Sequence, residues 1–118
     1  MPKTINIAKD FHSNPSGRTK IHGDWHGTKF REKHLIPHLE KSEELIVDLE
    51  GLVALSPSFF EESFGGLYRS QVLPTDIKKQ LRHLITYENT GQGFRAKMWI
   101  RIKREIDRAE SLFQRELP

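Results

Sequence analysis

Two serines are the residues of this chain best placed to do chemistry. Ser56 and Ser58 follow a nearly continuous apolar run, Leu45–Leu49, and precede a segment whose apolar residues have helical spacing. The first N–H groups of a helix lack partners within the helix, and the helix dipole is positive there. An anion such as a phosphate is therefore stabilised by about 0.3 to 1 kcal/mol. Both serines can be helix caps or acceptors of a phosphoryl group.

The sequence offers two helix starts. Ser58 and Glu61 form the S-x-x-E pattern of a capping box, which contributes about 1 kcal/mol. Ser56 followed by Pro57 is an equally good start, because proline suits the first helical position. A phosphate on Ser58 would add a charge of about −1.5 to −2 beside Glu61 and Glu62 and would repel a docked acidic surface. Capping and phosphorylation both remain open for Ser58.

Two arginines are candidate anion-binding residues. Arg18 follows a Pro-Ser-Gly turn, and Arg31 lies early in a predicted helix. They can bind an external anion or orient a carboxylate of the chain itself, such as Asp24. We favour the structural role.

Metal and cofactor sites are not expected. Histidines occur in two pairs spaced by four residues, the spacing that places two ligands on one helical face: His22 and His26, and His34 and His38. Gly23 and Pro37 interrupt these pairs, and neither pair shows the H-E-x-x-H pattern. The glycine-rich segment Asn89–Gly93 lacks the lysine and hydroxyl residue of a phosphate-binding loop.

Composition indicates a single domain over residues 1–118, with 36% hydrophobic and 30% charged residues. Cysteine is absent, which excludes disulfides and thiolate chemistry. No apolar run approaches the roughly 18 residues of a membrane span, and the N-terminus does not resemble a signal peptide. We expect a cytoplasmic protein with no membrane partner. The net charge of +3 is spread among interspersed charges, so we expect no nucleic-acid partner either.

The N-terminal region is predicted to form a hairpin. Thr4–Phe11 alternates apolar and polar residues like a strand, Asn14–Gly17 supplies a turn, and Arg18–His22 forms a second short strand. A helix capped by Thr28 is predicted from Gly27 to about Lys41. Pro37 should kink or end that helix near Ile36.

The middle of the chain is predicted to form the centre of the fold. Leu45–Leu49 has the pattern of a central strand buried on both faces. The helix that follows reaches about Ser70 and places Phe60, Phe64 and Leu67 towards the core. Four of its residues should lie nearer the surface: Glu61, Glu62, Tyr68 and Arg69. Gly65 and Gly66 weaken the helix, and close approach to the sheet would explain them.

The C-terminal part is predicted to contain a helical turn over Thr75–Leu81, a strand over Arg82–Tyr87 and a long amphipathic helix from Arg95 to about Leu117. The basic residues of this last helix are partly offset by acidic ones, namely Glu105, Asp107 and Glu110. A solvated face is therefore expected there. The order β, β, α, β, α, β, α, with right-handed crossovers, predicts a mixed sheet with a mostly parallel centre.

Four motifs together resemble the STAS-like domain family of unknown function. They are PSGR at Pro15–Arg18, GTKFRE at Gly27–Glu32, VDLEG at Val47–Gly51 and SFFEESFGGL at Ser58–Leu67. The family is related to the STAS domains of sulfate transporters and anti-anti-sigma factors. The resemblance implies a mixed sheet of four to five strands with helices mainly on one face, an N-terminal β-hairpin and a long C-terminal helix.

The resemblance also implies a function. In anti-anti-sigma factors, an aspartate-serine-serine-glycine motif carries the phosphorylated serine at the start of the second helix. Laid over that motif, Ser56 takes the place of the aspartate and Ser58 that of the phosphorylated serine, the one position of the four that is kept. Family members often occur beside ATP-binding kinase-like proteins.

We therefore expect a non-enzymatic regulatory module that docks on such an ATP-binding partner, with Ser58 as the candidate phosphoacceptor. The expected docking residues are Ser56, Ser58, Glu61 and Glu62. The alternative is a small-molecule or nucleotide-binding module that uses the same loop. An enzyme ranks last, because no set of nucleophile, base and orienting group is visible.

Overall fold

A three-stranded parallel sheet forms the centre of the chain in the computed structural model, which describes residues 2–118. The strands are β1 (Lys3–Asn6), β2 (Leu45–Asp48) and β3 (Ile85–Glu88), and β2 lies between the other two. In the register of the sheet, Val47 of β2 faces Ile5 of β1 and Tyr87 of β3. The chain therefore returns to the same end of the sheet before each strand.

One face of the sheet is buried and the other is largely open. Leu45 and Val47 are buried, whereas Ile46 and Asp48, which point the other way, are only half-buried. On the open face, Thr4 and Thr86 of the outer strands are exposed. The prediction that the central strand is buried on both faces is wrong, because the helices cover only one side of it.

The helices connect and cover these strands. Their bounds are α1, Ile7–Asp10; α2, which joins Gly27–Phe30, Arg31–Leu35 and Ile36–Leu39; α3, which joins Pro57–Phe60, Glu61–Gly65 and Gly66–Arg69; α4, Thr75–Leu84; and α5, Phe94–Glu116. A short 3-10 turn covers Lys20–His22. The long C-terminal helix is confirmed, and α4 is one turn longer than predicted, so β3 begins at Ile85.

Both α2 and α3 contain a π-helical turn in the middle. The N–H of Ile36 donates to the carbonyl of Arg31, and the N–H of Gly66 donates to the carbonyl of Glu61, each across five residues. In α2 the wide turn comes just before Pro37, whose ring would crowd the preceding turn of an α-helix. Of the two predicted effects of Pro37, a kink or an early end near Ile36, the early end is wrong, because α2 continues through the widened turn to Leu39.

The predicted N-terminal hairpin is also wrong. The side chain of Asn6 accepts a hydrogen bond from the N–H of Lys9 at 2.8 Å and so ends β1 by capping α1. In the predicted second strand, the Nδ1 atom of His22 accepts hydrogen bonds from the N–H groups of Arg18 and Thr19, both at 3.3 Å, and closes a turn. Because β1 pairs with β2 in parallel, the sheet has three parallel strands and not a mixed set of four or five.

The core is built around phenylalanine side chains. Phe30 of α2 lies 5.6 Å from Phe59 of α3, and Phe60 packs edge-on against Trp99 of α5 at 5.9 Å, measured between ring centroids. These pairs add to the burial of apolar area. The predicted core positions of α3, Phe60, Phe64 and Leu67, are confirmed as buried.

The predicted surface position of Tyr68 is wrong. Its ring is buried, and its hydroxyl donates to the carboxylate of Glu110 on α5 at 3.4 Å. Burial, followed by the charge of Glu110, raises the pKa of Tyr68 above its ordinary value. Tyr68 therefore joins α3 to α5 as a neutral phenol.

Among residues 2–118, no helix has both the length and the apolar character needed to cross a membrane.

Gly27 provides the closest approach of α2 to α3. A Cβ atom on Gly27 would lie 2.8 Å from the carbonyl oxygen of Phe59 and 2.8 Å from the Cβ atom of Glu62. We predict that Gly27→Ala lowers the free energy of unfolding by about 1 to 3 kcal/mol, because one of the two helices must move. Urea denaturation followed by circular dichroism measures this change.

The control is Ser111→Ala, at an exposed position of α5, which should change stability by less than about 0.5 kcal/mol. Equal stability of the Gly27→Ala variant and the wild type would contradict the close contact.

Candidate functional site

Three arginines and two glutamates form an ion cluster between α2, α3 and the loop before α2: Arg18, Arg31, Arg69, Glu61 and Glu62. The guanidinium of Arg31 donates to Glu62 Oε2 at 2.8 Å and also to the backbone carbonyl of Glu62. Arg69 donates to both carboxylate oxygens of Glu61, at 2.8 and 3.0 Å. Arg18 contacts Glu61 and lies 3.5 Å from Glu62. The cluster therefore ties the N-terminal loop to both helices.

The glycines of α3 make room for the ion cluster. A Cβ atom on Gly66 would overlap the guanidinium of Arg31, and one on Gly65 would overlap the carboxylate of Glu61. The same atom on Gly65 would lie 3.2 Å from the Cβ atom of Ala109 on α5. Contact with the ion cluster and with α5 therefore explains these glycines. The predicted reason, close approach of α3 to the sheet, is wrong.

The loop before α2 is held by backbone and side-chain hydrogen bonds. The hydroxyl of Thr28 donates to the carbonyl of Arg18 at 2.9 Å, so it does not cap α2 as predicted. The cap is His26, whose Nδ1 atom accepts from the N–H of Lys29 at 3.2 Å. These bonds fix the backbone from which Arg18 reaches the cluster.

The charges of the cluster stabilise one another. Burial alone would raise the pKa of Glu61, but hydrogen bonds from Arg69 and Arg18 hold it below its ordinary value. The same bonds to Glu61 raise the pKa of Arg18 and of Arg69. The Glu61 side chain is only 13% exposed, so the ion pair between Arg18 and Glu61 is partly shielded from solvent. Glu61, Arg18 and Arg69 therefore stabilise one another in their ionised forms.

The two serines have different positions in the first turn of α3. Ser56 is the cap, and its Oγ accepts from the N–H of Phe59 at 3.4 Å. Ser58 lies within the first turn, and its Oγ is 3.3 Å from the Oγ of Ser56. Pro57 occupies the first helical position and so fixes the start of the helix at Ser56. The Ser58 capping box does not form, because the carboxylate of Glu61 is bonded to arginines.

The structure brings most of the sequence-predicted site residues together. Glu61 and Glu62 meet Arg18 and Arg31 in the ion cluster, and the two serines lie one turn before the glutamates on the same helix. The anions that contact these arginines are carboxylates of the chain itself, on α3 and not at Asp24. Whether an external anion also binds stays a prediction.

Arg69 is the member of the cluster that the sequence analysis missed as a site residue. It follows Glu61 by eight residues, which is two helical turns only when one turn is widened as in a π-helix. A search for charges spaced by three or four residues therefore overlooks the pair. The available signal was the glycine pair Gly65–Gly66, which follows the two glutamates after Ser63 and Phe64.

A second polar group lies at the carboxyl ends of the strands, and the sequence analysis did not identify it. The carboxylate of Asp48 accepts from the side chains of Asn89 at 2.7 Å and Asn6 at 3.3 Å, and from the N–H of Glu50 at 2.9 Å. The bond from Asn89, followed by that from Glu50, lowers the pKa of Asp48. Although this edge of a parallel sheet often binds ligands, Asp48 here joins three loops of its own chain.

Of the histidines considered for a metal site, His34 and His38 have partners within the fold. The ring of His34 packs 5.4 Å from Phe30, and burial lowers its pKa. The Nδ1 atom of His38 lies 3.2 Å from the carboxylate of Glu43. Within residues 2–118, no three histidine or acidic side chains are gathered in a way that could hold a metal ion.

Comparison with known proteins places this fold in a family. A family model described as a STAS-like domain of unknown function (DUF4325) matches residues 26–91, which is more than half of the chain. The chain belongs to this family. The matched part of the STAS-like domain contains α2, β2, α3, α4 and β3, while β1 and α5 lie outside it. No curated protein and no solved structure matches the chain.

The pairing of Arg31 with Glu62 can be tested by removing one charge. We predict that Arg31→Met destabilises the STAS-like domain by about 1 to 3 kcal/mol, because Glu62 would be left half-buried without its nearest cation. The side chains of this pair are only 12% and 19% exposed. Urea denaturation at neutral pH measures the loss.

Arg104→Met is the matched control. Arg104 is exposed on α5 and, within residues 2–118, pairs with no carboxylate, so its loss should change stability by less than about 0.5 kcal/mol. Equal losses in the two variants would contradict a structural role specific to the cluster.

Acid should weaken the ion cluster. Because the folded-state pKa of Glu61 lies below its ordinary value of 4.5, its contribution is present above that pH and is lost as pH falls through the folded-state value. We predict that acidification from about pH 6 to about pH 3 destabilises the wild type more than Arg69→Met, which lacks part of this contribution. Urea denaturation over this pH series provides the comparison.

Lys79→Met, at an exposed position of α4, should keep the acid dependence of the wild type. If Arg69→Met keeps it as well, Arg69 does not stabilise the ionised form of Glu61.

Proposed function

We propose that this STAS-like domain is a non-enzymatic regulatory module that docks on an ATP-binding, kinase-like protein through the first turn of α3. The proposed docking residues are Ser56, Ser58, Glu61 and Glu62. The two glutamates are already bound by arginines of the ion cluster, so the hydroxyl of Ser58 is the group left for the partner. In this proposal Ser58 is the residue that the cytoplasmic partner phosphorylates. Membership of the STAS-like family supports the proposal, and the main structural support is the position of Ser58 in the first turn of α3.

The decisive observation is the division of roles between the serines. Ser56 already accepts the hydrogen bond from the N–H of Phe59, so the hydroxyl of Ser58 is not needed to cap the helix. Ser58 is half-buried in the first turn, where the helix dipole favours negative charge. A partner can therefore modify Ser58 without removing the cap.

The ion cluster makes this turn tolerant of a phosphate. Without the arginines, Glu61 and Glu62 would repel a negative charge added one turn before them. Here each glutamate is paired, and three arginines face two carboxylates. A phosphate of charge about −1.5 to −2 would change the sign of the net charge around the cluster from positive to negative. This reversal is a physical basis for releasing an acidic partner surface.

The proposed chemical step is a simple transfer. The Ser58 hydroxyl loses its proton to a base of the partner, its Oγ forms a bond to the γ-phosphorus of the ATP that the partner holds, and ADP leaves. The STAS-like domain supplies the hydroxyl and its helical setting. The partner supplies the nucleotide and the base, which is why the domain itself needs no catalytic residues.

A small-molecule module remains the alternative, and the cavities give it less support. A cavity of about 160 Å³ lies between α3, α4, β3 and α5, and Phe64, Leu81 and Tyr87 are among its lining residues. This volume is below the roughly 300 to 1,000 Å³ of typical ligand pockets. An open cavity of about 760 Å³ between α4 and the C-terminal end of α5 does reach that size, and Leu73, Lys78 and Phe113 are among its lining residues. Neither cavity is lined by Ser56 or Ser58, where the alternative would place the ligand.

Serine variants separate the two roles. After incubation with the ATP-binding partner and ATP, the wild type should gain the mass of one phosphate, and Ser58→Ala should gain none. Ser58→Ala should also stay within about 0.5 kcal/mol of wild-type stability, because its hydroxyl is not the cap. Intact-protein mass spectrometry and urea denaturation measure these two properties.

Ser56→Ala is the matched control. It should lose about 1 kcal/mol of stability through the missing cap and still gain the phosphate. Phosphate that persists on Ser58→Ala, or a partner that neither binds nor modifies the wild type, would overturn the proposal.

A further inference from the structure

The exposed side of α5 carries a stripe of cations that the proposed docking surface does not use. The basic stripe consists of residues spaced alternately by three and four positions, with Ser111 filling the one gap: Lys97, Arg101, Arg104, Arg108 and Arg115. All five are exposed. At 1.5 Å per residue the stripe extends over about 27 Å of the helix.

Two of the three acidic residues expected to offset this charge face another helix. Asp107 lies 3.4 Å from the guanidinium of Arg82 on α4, and Glu110 contacts the same guanidinium and the hydroxyl of Tyr68. Glu105 is half-buried beside the stripe. Because Asp107 and Glu110 pair with Arg82 on α4, the side of the helix that carries the stripe is more positive than the sequence of the helix suggests, with exposed Glu116 at its C-terminal end.

The stripe is also free of internal ion pairs. Within residues 2–118, the arginines that pair with carboxylates are those of the ion cluster and Arg82, and no member of the basic stripe is among them. Neighbouring cations at these spacings repel one another. An anionic partner lying along the row would therefore relieve the repulsion between these cations.

An aromatic residue stands at the head of the basic stripe. Phe94 precedes Lys97 by three residues and continues the same alternating spacing, and its side chain is 76% exposed. An exposed phenylalanine beside a row of cations is the combination with which proteins hold single-stranded nucleic acids. Cations contact the phosphates and the aromatic ring stacks on a base.

We propose that the basic stripe and Phe94 bind single-stranded nucleic acid without sequence preference. The phosphates would lie along the guanidinium and ammonium groups, and a base would stack on Phe94. Four of the five cations are arginines, whose planar groups bind phosphate oxygens in pairs.

The chemistry of the stripe favours a nucleic acid over an acidic protein or a membrane. Protein interfaces have a desolvated core of contiguous apolar and aromatic side chains, whereas the exposed apolar residues of α5, Phe94, Ile100 and Leu112, are separated from one another by the cations of the stripe. A membrane-binding amphipathic helix inserts its apolar face into the lipid. The apolar face of α5, which includes Trp99, Ile102 and Ala109, is buried in the core.

Fluorescence anisotropy with labelled poly-dT and poly-rU oligonucleotides tests the proposal on the full chain. The wild type should bind both, and the logarithm of the affinity should fall with the logarithm of the salt concentration, with a slope of up to about −3.5 if all five cations contact phosphates. Arg101→Glu combined with Arg104→Glu should weaken binding by at least about tenfold. Phe94→Ala should weaken binding without changing the salt slope.

Lys20→Glu combined with Lys79→Glu is the control of equal charge change, at exposed positions outside the stripe, and should retain wild-type affinity to within about threefold. Equal losses in the two double variants would show attraction by net charge only and would overturn the proposal. Failure to bind either oligonucleotide would also overturn it, as would binding confined to phosphatidylserine vesicles.

Discussion

The contact between α2 and α3 is the constraint on which the rest of the structure depends. Because Gly27 has no side chain, its backbone can pack directly against the backbone of α3. Arg31 of α2 pairs with Glu62 of α3 across the same contact. Charges that are this far removed from solvent are stabilising only when they are paired, so the cluster and the close packing require each other. Because α3 also packs against α5, this contact fixes the position of its first turn, where Ser58 lies.

The fold uses some of its polar groups internally and leaves others for partners. The carboxylates of α3 are bound by arginines, and the hydroxyl of Ser56 is bound by the backbone. What remains is a hydroxyl at Ser58 on one surface and a row of cations on α5 on another. The two surfaces suit different partners, and the proposals for them stand independently.

Local signals in the sequence predicted the elements whose residues repeat regularly. The periodicity of α3 and α5 and the apolar run of β2 indicated the type of each element correctly, and the buried positions Phe60, Phe64 and Leu67 of α3 as well. The same patterns did not show that Tyr68 is buried or that one face of β2 is open. The hairpin failed because Asn6 is a good cap for a helix, and because its strand pairs in parallel with a segment about forty residues away. Nothing in a single sequence specifies that long-range pairing.

Most residues of the site could be predicted from the sequence, but the hydrogen bonds and ion pairs between them could not. Two serines were equal candidates for the cap, and only the structure shows that Ser56 takes that role and leaves Ser58 aside. A count of 3.6 residues per turn does not detect the π-helical turns, so that count alone does not predict the pairing of Glu61 with Arg69.

The backbone amide NMR shifts of the domain, followed while the ATP-binding partner is added, test the proposed docking through α3 most directly. The largest changes should fall on the amides of Ser56 and of residues 58–62. Changes confined to the open face of the sheet, around Thr4 and Thr86, would show that a different surface binds and would overturn the proposal.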